Sequence, residues 1–455
     1  MSRHDSPRPE SPLVDEYDNI HFLSDELARG GQGVVFRTKD ADLAIKQPLD
    51  SLGNPDKASN LRERFNSIRL LPLPSRIPIS LPLASLRDEP GYVMRLLNGM
   101  KPFEAFEMNG TMQKRLNEEL MNGSLKCPEW LAGIPDPKFR LRLLHYSKTG
   151  STRRRLIALS RCASILARLH SFGLVYGDIS PKNVFVGEGE SPDVWLIDVD
   201  NLRLEMSNHG SSVYTPHYGA PEIVQGLDQA RPRTDCWAFS VLAFQFLALI
   251  HPFIGRRVLE SGDEEGGWDA DPPSAGGIPA DLDEQAYAGL LPFIDDDSDD
   301  SNAAVLGSGL PRELVITPGI RRLFQEAFVN GRKLPHRRPS MGFWALELAK
   351  AFDQSLLCPC CEMSYFVDDH SCCPYCGEPR PAFFRAITPI WRLTIPSQVR
   401  KFSLPHRLFH PFSFEHAYDG EYEATLDYGK GSAEPLRGTN PFPPELSIEF
   451  IEVAK

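Results

Sequence analysis

The stretch Leu174-Val175-Tyr176-Gly177-Asp178-Ile179-Ser180-Pro181-Lys182-Asn183-Val184-Phe185-Val186 decides the fold. Asp178 and Asn183 stand five positions apart. Upstream, apolar residues recur at helical spacing over residues 154–170 (Ile157, Cys162, Ile165, Leu166, Leu169), which predicts a buried helix. Downstream, residues 184–186 and 194–197 read as two short strands joined by a glycine-containing turn. A second aspartate, Asp198, follows Asn183 by fifteen residues. Asp and Asn are common turn formers. That property alone does not explain why helix, Asp–Asn pair, strand pair and second aspartate occur in this order.

The segment resembles the protein-kinase catalytic loop H-R-D-x-x-x-x-N. Leu196-Ile197-Asp198-Val199-Asp200 resembles the metal-binding D-F-G turn. The resemblance implies that Asp178 accepts the proton of the substrate hydroxyl, and that Asn183 and Asp198 hold Mg2+ against the phosphates of ATP. Two hard oxygen ligands suit Mg2+. Three departures stand out. Tyr176 replaces the histidine, a packing position. Gly177 replaces the arginine on which a phosphorylated activation segment docks, which argues against that switch. Asp200 replaces the glycine after the metal aspartate and removes no magnesium ligand.

Working towards the N-terminus, residues 20–46 read as short strands around a glycine loop, residues 61–70 as a helix and residues 92–97 as a strand. Leu27-Ala28-Arg29-Gly30-Gly31-Gln32-Gly33-Val34-Val35 resembles the glycine-rich loop that covers ATP phosphates with backbone N–H groups. Gly30, Gly33 and Val35 match its pattern, and Ala28 takes the place of the first glycine. Leu43-Ala44-Ile45-Lys46 resembles the strand that carries the phosphate-binding lysine. The resemblance implies an ATP site built from Ala28, Gly30, Gly33, Val35, Ala44, Lys46, Met94 and Leu97. It also implies a carboxylate on the next helix to hold Lys46, and Glu63 is the best placed.

Working towards the C-terminus, Thr215-Pro216-His217-Tyr218-Gly219-Ala220-Pro221-Glu222 resembles the T-x-x-Y-x-A-P-E end of an activation segment. By that resemblance Thr215 contacts the catalytic aspartate, and Glu222 forms a buried ion pair with Arg338. Asp235 opens the central helix and anchors the catalytic loop. The A-P-E element separates protein kinases from small-molecule phosphotransferases. Thr215 favours serine or threonine as acceptor. Ser180, where serine/threonine kinases carry a lysine, and Lys182, closer to the tyrosine-kinase arrangement, point the other way.

Six of the nine cysteines lie between Cys358 and Cys376. In a reducing compartment such crowding points to a metal. Cys358 with Cys361 and Cys373 with Cys376 form two C-x-x-C knuckles around an eleven-residue spacer, which resembles a zinc ribbon. Four thiolates suit tetrahedral Zn2+ in a closed, structural site. Cys360 and Cys372 are then spare, His370 is a substitute ligand, and a redox C-x-x-C pair is the alternative. So short a segment cannot bury enough core to fold alone. Zinc binding, at about 10–16 kcal/mol, would fold it.

The expected fold class is α+β: a bilobal protein-kinase fold followed by a small zinc ribbon and a β-rich C-terminal module. The layout runs as a disordered tail over residues 1–18, an N-lobe over 19–97, a C-lobe over 98–355, a ribbon over 356–380 and the β-rich module over 381–455. Residues 261–302 form a solvated acidic loop within the C-lobe. Counted from Asp295 as position one, its aspartates lack the glutamate that an EF-hand requires at position twelve, where Leu306 stands. The net charge of −12 argues against nucleic acid and membrane surfaces as partners. The longest apolar run, residues 237–250, falls short of the ~18 residues of a membrane span. With no signal peptide visible, these features favour the cytoplasm. The expected activity is an ATP- and Mg2+-dependent serine/threonine protein kinase. The alternative is a pseudokinase scaffold that binds partners through the ribbon and C-terminal module. The layout resembles bacterial kinases grouped with a PP2C-type phosphatase and a von Willebrand A protein, which implies those proteins as partners.

Overall fold

A computed structural model describes residues 12–30, 33–50, 52–56, 61–189, 192–205, 214–261, 281–411, 422–436 and 440–453. The N-terminal lobe is a five-stranded antiparallel sheet. Its spatial order is Leu23–Gly30, Gly33–Thr38, Leu43–Gln47, Tyr92–Arg95, Pro82–Ser85. Register sorts its residues. Val35 and Tyr92 flank Lys46, and Met94 pairs with Ala44, so these five share the face that looks into the cleft. Ile45 and Val93 point the other way, into a small core with Ala84, Leu86 and Leu13.

Leu13 corrects the tail expected over residues 1–18. The short strand Leu13–Val14 pairs with Ile20–His21 and lays Leu13 on the outer face of the sheet. Asp15 is buried beside it and accepts hydrogen bonds from the backbone N–H of Tyr17 and Asn19, with His21 Nε2 at 3.0 Å. The polar sequence hid one apolar anchor and one satisfied carboxylate. Residues 1–11 lie outside the described residues.

The second lobe is built on Ser151–Ser171 and Pro232–Ala248, two helices buried along most of their length. The helix Met341–Asp353 packs along the first of them. Aromatic rings fill the space around Trp237, Phe244, Phe253, Phe324 and Phe328. The acidic segment expected over residues 261–302 is corrected in its second half. Asp281 caps the helix Leu282–Tyr287, and Leu291, Phe293 and Ile294 enter the lobe core. Asp295 pairs with the largely buried Arg312 at 2.8 Å, whereas Asp297, paired with the exposed Arg321 at 2.5 Å, and Asp299 and Asp300 stay exposed as expected. Residues 262–280 lie outside the described residues.

Beyond Asp353 the hairpin Ser355–Leu357/Ser364–Phe366 carries the first cysteine knuckle. It is docked rather than tethered: Met363, Tyr365, Phe366 and Val367 join the core of the second lobe. Ser364 Oγ accepts the Arg153 N–H, and its own N–H donates to Ser151 Oγ. The C-terminal part is β-rich and forms two three-stranded antiparallel sheets with their own core. In one, Phe383–Ile387 lies between Arg392–Pro396 and Ser447–Ile451. Asp353, fully buried, ties this part to the lobe by accepting hydrogen bonds from Trp391 Nε1 at 2.8 Å and from Arg407 Nε and Nη2 at 2.6 and 2.7 Å.

Two histidines give the fold a pH dependence. Burial pushes His145 down to about 4 and His251 down to about 3. Both are neutral in the folded chain, whereas the unfolded chain protonates them below about 6.5. Folded pKa values below the unfolded ones mean that stability is lost as pH falls from about 6.5 towards about 4. At pH 5 the two together are expected to cost up to about 4 kcal/mol. Thermal unfolding is therefore expected at a clearly lower Tm at pH 5 than at pH 7, and a pH-independent Tm would contradict the neutral buried imidazoles.

Candidate active site

The cleft between the lobes gathers residues from five separate stretches. Lys46, buried on the central strand of the sheet, reaches across to the second lobe. Its Nζ lies 2.6 Å from Asp198 Oδ1 and 2.9 Å from Asp200 Oδ2. Burial alone would lower the lysine, but the two carboxylates outweigh it and hold its ammonium above the ordinary value. Burial pushes Asp198 up; Lys46 opposes the shift and Asp200 adds to it. Asp198 adopts a left-handed backbone, φ 54° and ψ 62°, a conformation costly for a residue with a Cβ and concentrated at functional sites. The turn that follows, Val199–Asn201, packs under the helix Leu61–Arg69.

The loop carrying Asp178 is pinned from below. Asp235, at the start of the central helix, accepts the N–H groups of Tyr176 and Gly177, both at 2.9 Å, with His170 Nε2 at 3.0 Å. Tyr176 does more than pack. Its buried hydroxyl donates to the carbonyl of Ile197, next to Asp198, and so ties the two functional loops together. Gly177 has φ 83°, and a Cβ there would lie 3.3 Å from the Asn201 carbonyl oxygen, a reason for glycine at that position. Asp178 accepts from Asn183 Nδ2 at 3.0 Å and from Thr215 Oγ1 at 2.6 Å. Because Asn183 donates its amide N–H groups to Asp178, its side-chain oxygen is the atom left to meet a cation. Ser180 Oγ, two residues on, is buried with no partner among the described residues. Lys182 is exposed, 3.8 Å from Glu104.

Glu222 and Arg338 meet in a two-pronged pair at 2.6 and 2.8 Å. Arg338 also donates to the carbonyls of Gly331 and Arg233, and its guanidinium lies 4.9 Å from the Trp237 ring. The Tyr218 hydroxyl lies 3.0 Å from Glu107 Oε1 and 2.9 Å from the Gln245 side-chain amide, which fixes the end of the same segment.

Glu63 is the one expected site residue that the structure sets apart. It is exposed on the helix Leu61–Arg69, and Lys46 bonds to Asp198 and Asp200 instead. The reason is helical phase: Phe65 is fully buried against Tyr92, and a residue two positions earlier points about 200° away. Sequence reasoning missed Asp200 as the partner of Lys46. The available signal was an acidic residue directly after Ile197-Asp198-Val199, where a solvated charge is out of place. Ala28 pairs with Val35, and Gly30 with Gly33, at the mouth of the cleft; Leu97 lies just past the strand that carries Met94.

At the far end, the Sγ atoms of Cys358, Cys361, Cys373 and Cys376 all lie within 4.8 Å of one another. Zn–S bonds of about 2.3 Å place tetrahedral sulfurs about 3.8 Å apart, so the donor set fits zinc. Cys360 and Cys372 point to solvent. The two knuckles share one turn. The residue after the second cysteine has positive φ, 58° at Glu362 and 77° at Gly377, and its N–H bonds to the carbonyl of the first cysteine.

Comparison with known proteins agrees with this geometry. Residues 142–265 match the protein kinase domain family. The chain is 26% identical over 254 residues to the DNA damage-responsive serine/threonine-protein kinase RqkA of Deinococcus radiodurans, spanning 54% of this chain and 32% of that protein. It is 33% identical over 102 residues to ribosomal protein S6 kinase alpha-3 of Mus musculus, spanning 22% and 13%. To calcium-dependent protein kinase 5 of Plasmodium berghei it is 32% identical over 97 residues, spanning 21% and 17%. This chain therefore covers less than a third of the length of each of these relatives. Over residues 142–265 the chain is thus similar to protein kinase domains, and these relatives are named as protein kinases, one of them a bacterial serine/threonine kinase. The family match does not reach Lys46, which is placed by the geometry of the cleft.

Asp235 gives the site its testable weak point. Asp235→Asn leaves one side-chain oxygen for two loop N–H groups and is expected to cost about 2–3 kcal/mol. Denaturant unfolding measures it; a loss below about 0.5 kcal/mol would argue against the anchoring role.

Proposed function

We propose that this chain transfers the γ-phosphoryl group of ATP to a serine or threonine hydroxyl of a protein substrate. The observation that carries the reading is the convergence of Asp178, Asn183, Thr215, Asp198 and Lys46 on one cleft edge. Asp178 would orient the hydroxyl and take its proton while the new O–P bond forms and the bond to the ADP oxygen breaks. Asn183 and Asp198 would hold Mg2+, which neutralises phosphate charge when bound. Lys46 would hold the inner phosphates, and the backbone at Gly30 and Gly33 would cover the outer ones. Ala28, Val35, Ala44, Met94 and Leu97 would line the remainder of the nucleotide site. The Thr215 hydroxyl on Asp178 supports serine or threonine as acceptor. Glu222 with Arg338, and Asp235, would hold the frame.

The four clustered cysteines support a structural zinc that stabilises the hairpin against the second lobe. The docked hairpin and the two-sheet module support a platform for protein partners, a PP2C-type phosphatase and a von Willebrand A protein among them. No disulfide links any of the nine cysteines, which supports a reducing compartment such as the cytoplasm. Among the described residues no helix is long and apolar enough to cross a membrane.

Incubation with labelled ATP and Mg2+, alone and with generic protein substrates, is expected to give phosphoserine or phosphothreonine. Asp178→Asn is expected to lower kcat by about 10²–10⁴-fold, and Lys46→Ala to reduce transfer strongly. Transfer that these variants leave intact would refute the assignment; nucleotide-dependent stabilisation without any transfer would favour the scaffold instead. Metal analysis is expected to find about one zinc per chain. Its chelation should lower the Tm of the whole chain, since the hairpin shares the core of the lobe. Folded, zinc-free protein of unchanged Tm would rule that site out.

A further inference from the structure

We propose that Asp200 is the carboxylate that positions Lys46 for the nucleotide, the task expected of a helix glutamate. The inference rests on the phosphoryl-transfer reading and adds a residue to it. Asp200 Oδ2 lies 2.9 Å from Lys46 Nζ, and both side chains are buried. Asp200 Oδ1 faces the Tyr92 hydroxyl at 3.5 Å. Register sets Tyr92 directly across the strand pair from Lys46, so lysine, tyrosine and carboxylate form one buried group.

The helix Leu61–Arg69 acts on this group at one remove. Phe65 packs edge-on against Tyr92 with ring centroids 3.9 Å apart. Arg64 donates to Asn201 Oδ1 at 2.9 Å, next to Asp200. The helix thus presses on the turn Val199–Asn201, and the turn holds the lysine. Glu63 takes no part: it is exposed on the opposite side of the helix from Phe65.

The arrangement also frees Asp198. One of its oxygens is on Lys46 here, but it is the carboxylate that must turn to a metal-bound phosphate. With a single carboxylate on Lys46, that movement would leave a buried ammonium unpaired, which is costly. Asp200 keeps the lysine paired and placed while Asp198 engages the cation. Asp200 lies on the turn Val199–Asn201 that follows Asp198, so the lysine's position follows the metal loop rather than the helix.

The test compares kcat, KM for ATP and nucleotide affinity in four full-length proteins: wild type, Asp200→Asn, Asp200→Gly and Glu63→Gln. Asp200→Asn keeps the size and polar contact but removes the charge. It is expected to lower kcat about 10–100-fold, the penalty for misplacing a phosphate ligand by about 1 Å. Its nucleotide affinity should stay within about threefold of wild type, a split that general destabilisation would not produce. Asp200→Gly restores the glycine that resemblance places there and keeps the test alive should the first variant not fold; it is expected to be as slow. Glu63→Gln should stay within about twofold of wild type. Wild-type kcat in either Asp200 variant, or an equal loss in Glu63→Gln, would overturn the proposal. An inactive wild type would instead overturn the phosphoryl-transfer reading beneath it.

Discussion

The Lys46 ammonium, held between the carboxylates of Asp198 and Asp200, is the interaction on which the cleft depends. It is the point where the sheet of the first lobe meets the functional loops of the second. A buried ammonium is tolerable only when paired and hydrogen-bonded. Two buried carboxylates so close together are tolerable only with a cation between them. Each half therefore requires the other, and the left-handed backbone at Asp198 is the strain accepted to bring both oxygens into range.

Around that contact the second lobe supplies rigidity. Asp235 fixes the loop that carries Asp178 from beneath, and Tyr176 links it to Ile197, one residue before Asp198. Arg338 and Glu222 close the far side of the same segment. These are buried charges and hydroxyls spent on backbone groups of loops, which would otherwise be free to move. The same economy recurs at the C-terminal junction, where Asp353 joins the lobe to Trp391 and Arg407. The cysteine hairpin and the two-sheet module are thus packed onto the lobe that carries Asp178.

Much of this was legible in the sequence, for a physical reason. The Asp178–Asn183 spacing, the strand pair, Asp198 and the cysteine knuckles are local patterns, and local geometry places them. The buried helices announced themselves by apolar periodicity. Glu63 failed because the choice of carboxylate depends on the phase of the helix Leu61–Arg69 against Tyr92, a tertiary fact. Asp200 was visible only as a departure from a pattern, and its partner lies 154 residues away. Leu13 was lost in a polar, proline-rich stretch whose composition outweighed one anchor. Asp295 read as solvated because its partner, Arg312, is remote in sequence. The strand Ser447–Ile451 pairs with Phe383–Ile387 across some sixty residues, a pairing no local signal carries.

The most direct measurement is a crystal structure of the chain with Mg2+ and a non-hydrolysable ATP analogue. The account predicts nucleotide in the cleft, Asp198 and Asn183 on the cation, and Lys46 on the phosphates with Asp200 still within about 3 Å. A nucleotide-bound structure in which Lys46 has left Asp200 for Glu63, or one with the analogue absent from the cleft at saturating concentration, would contradict it.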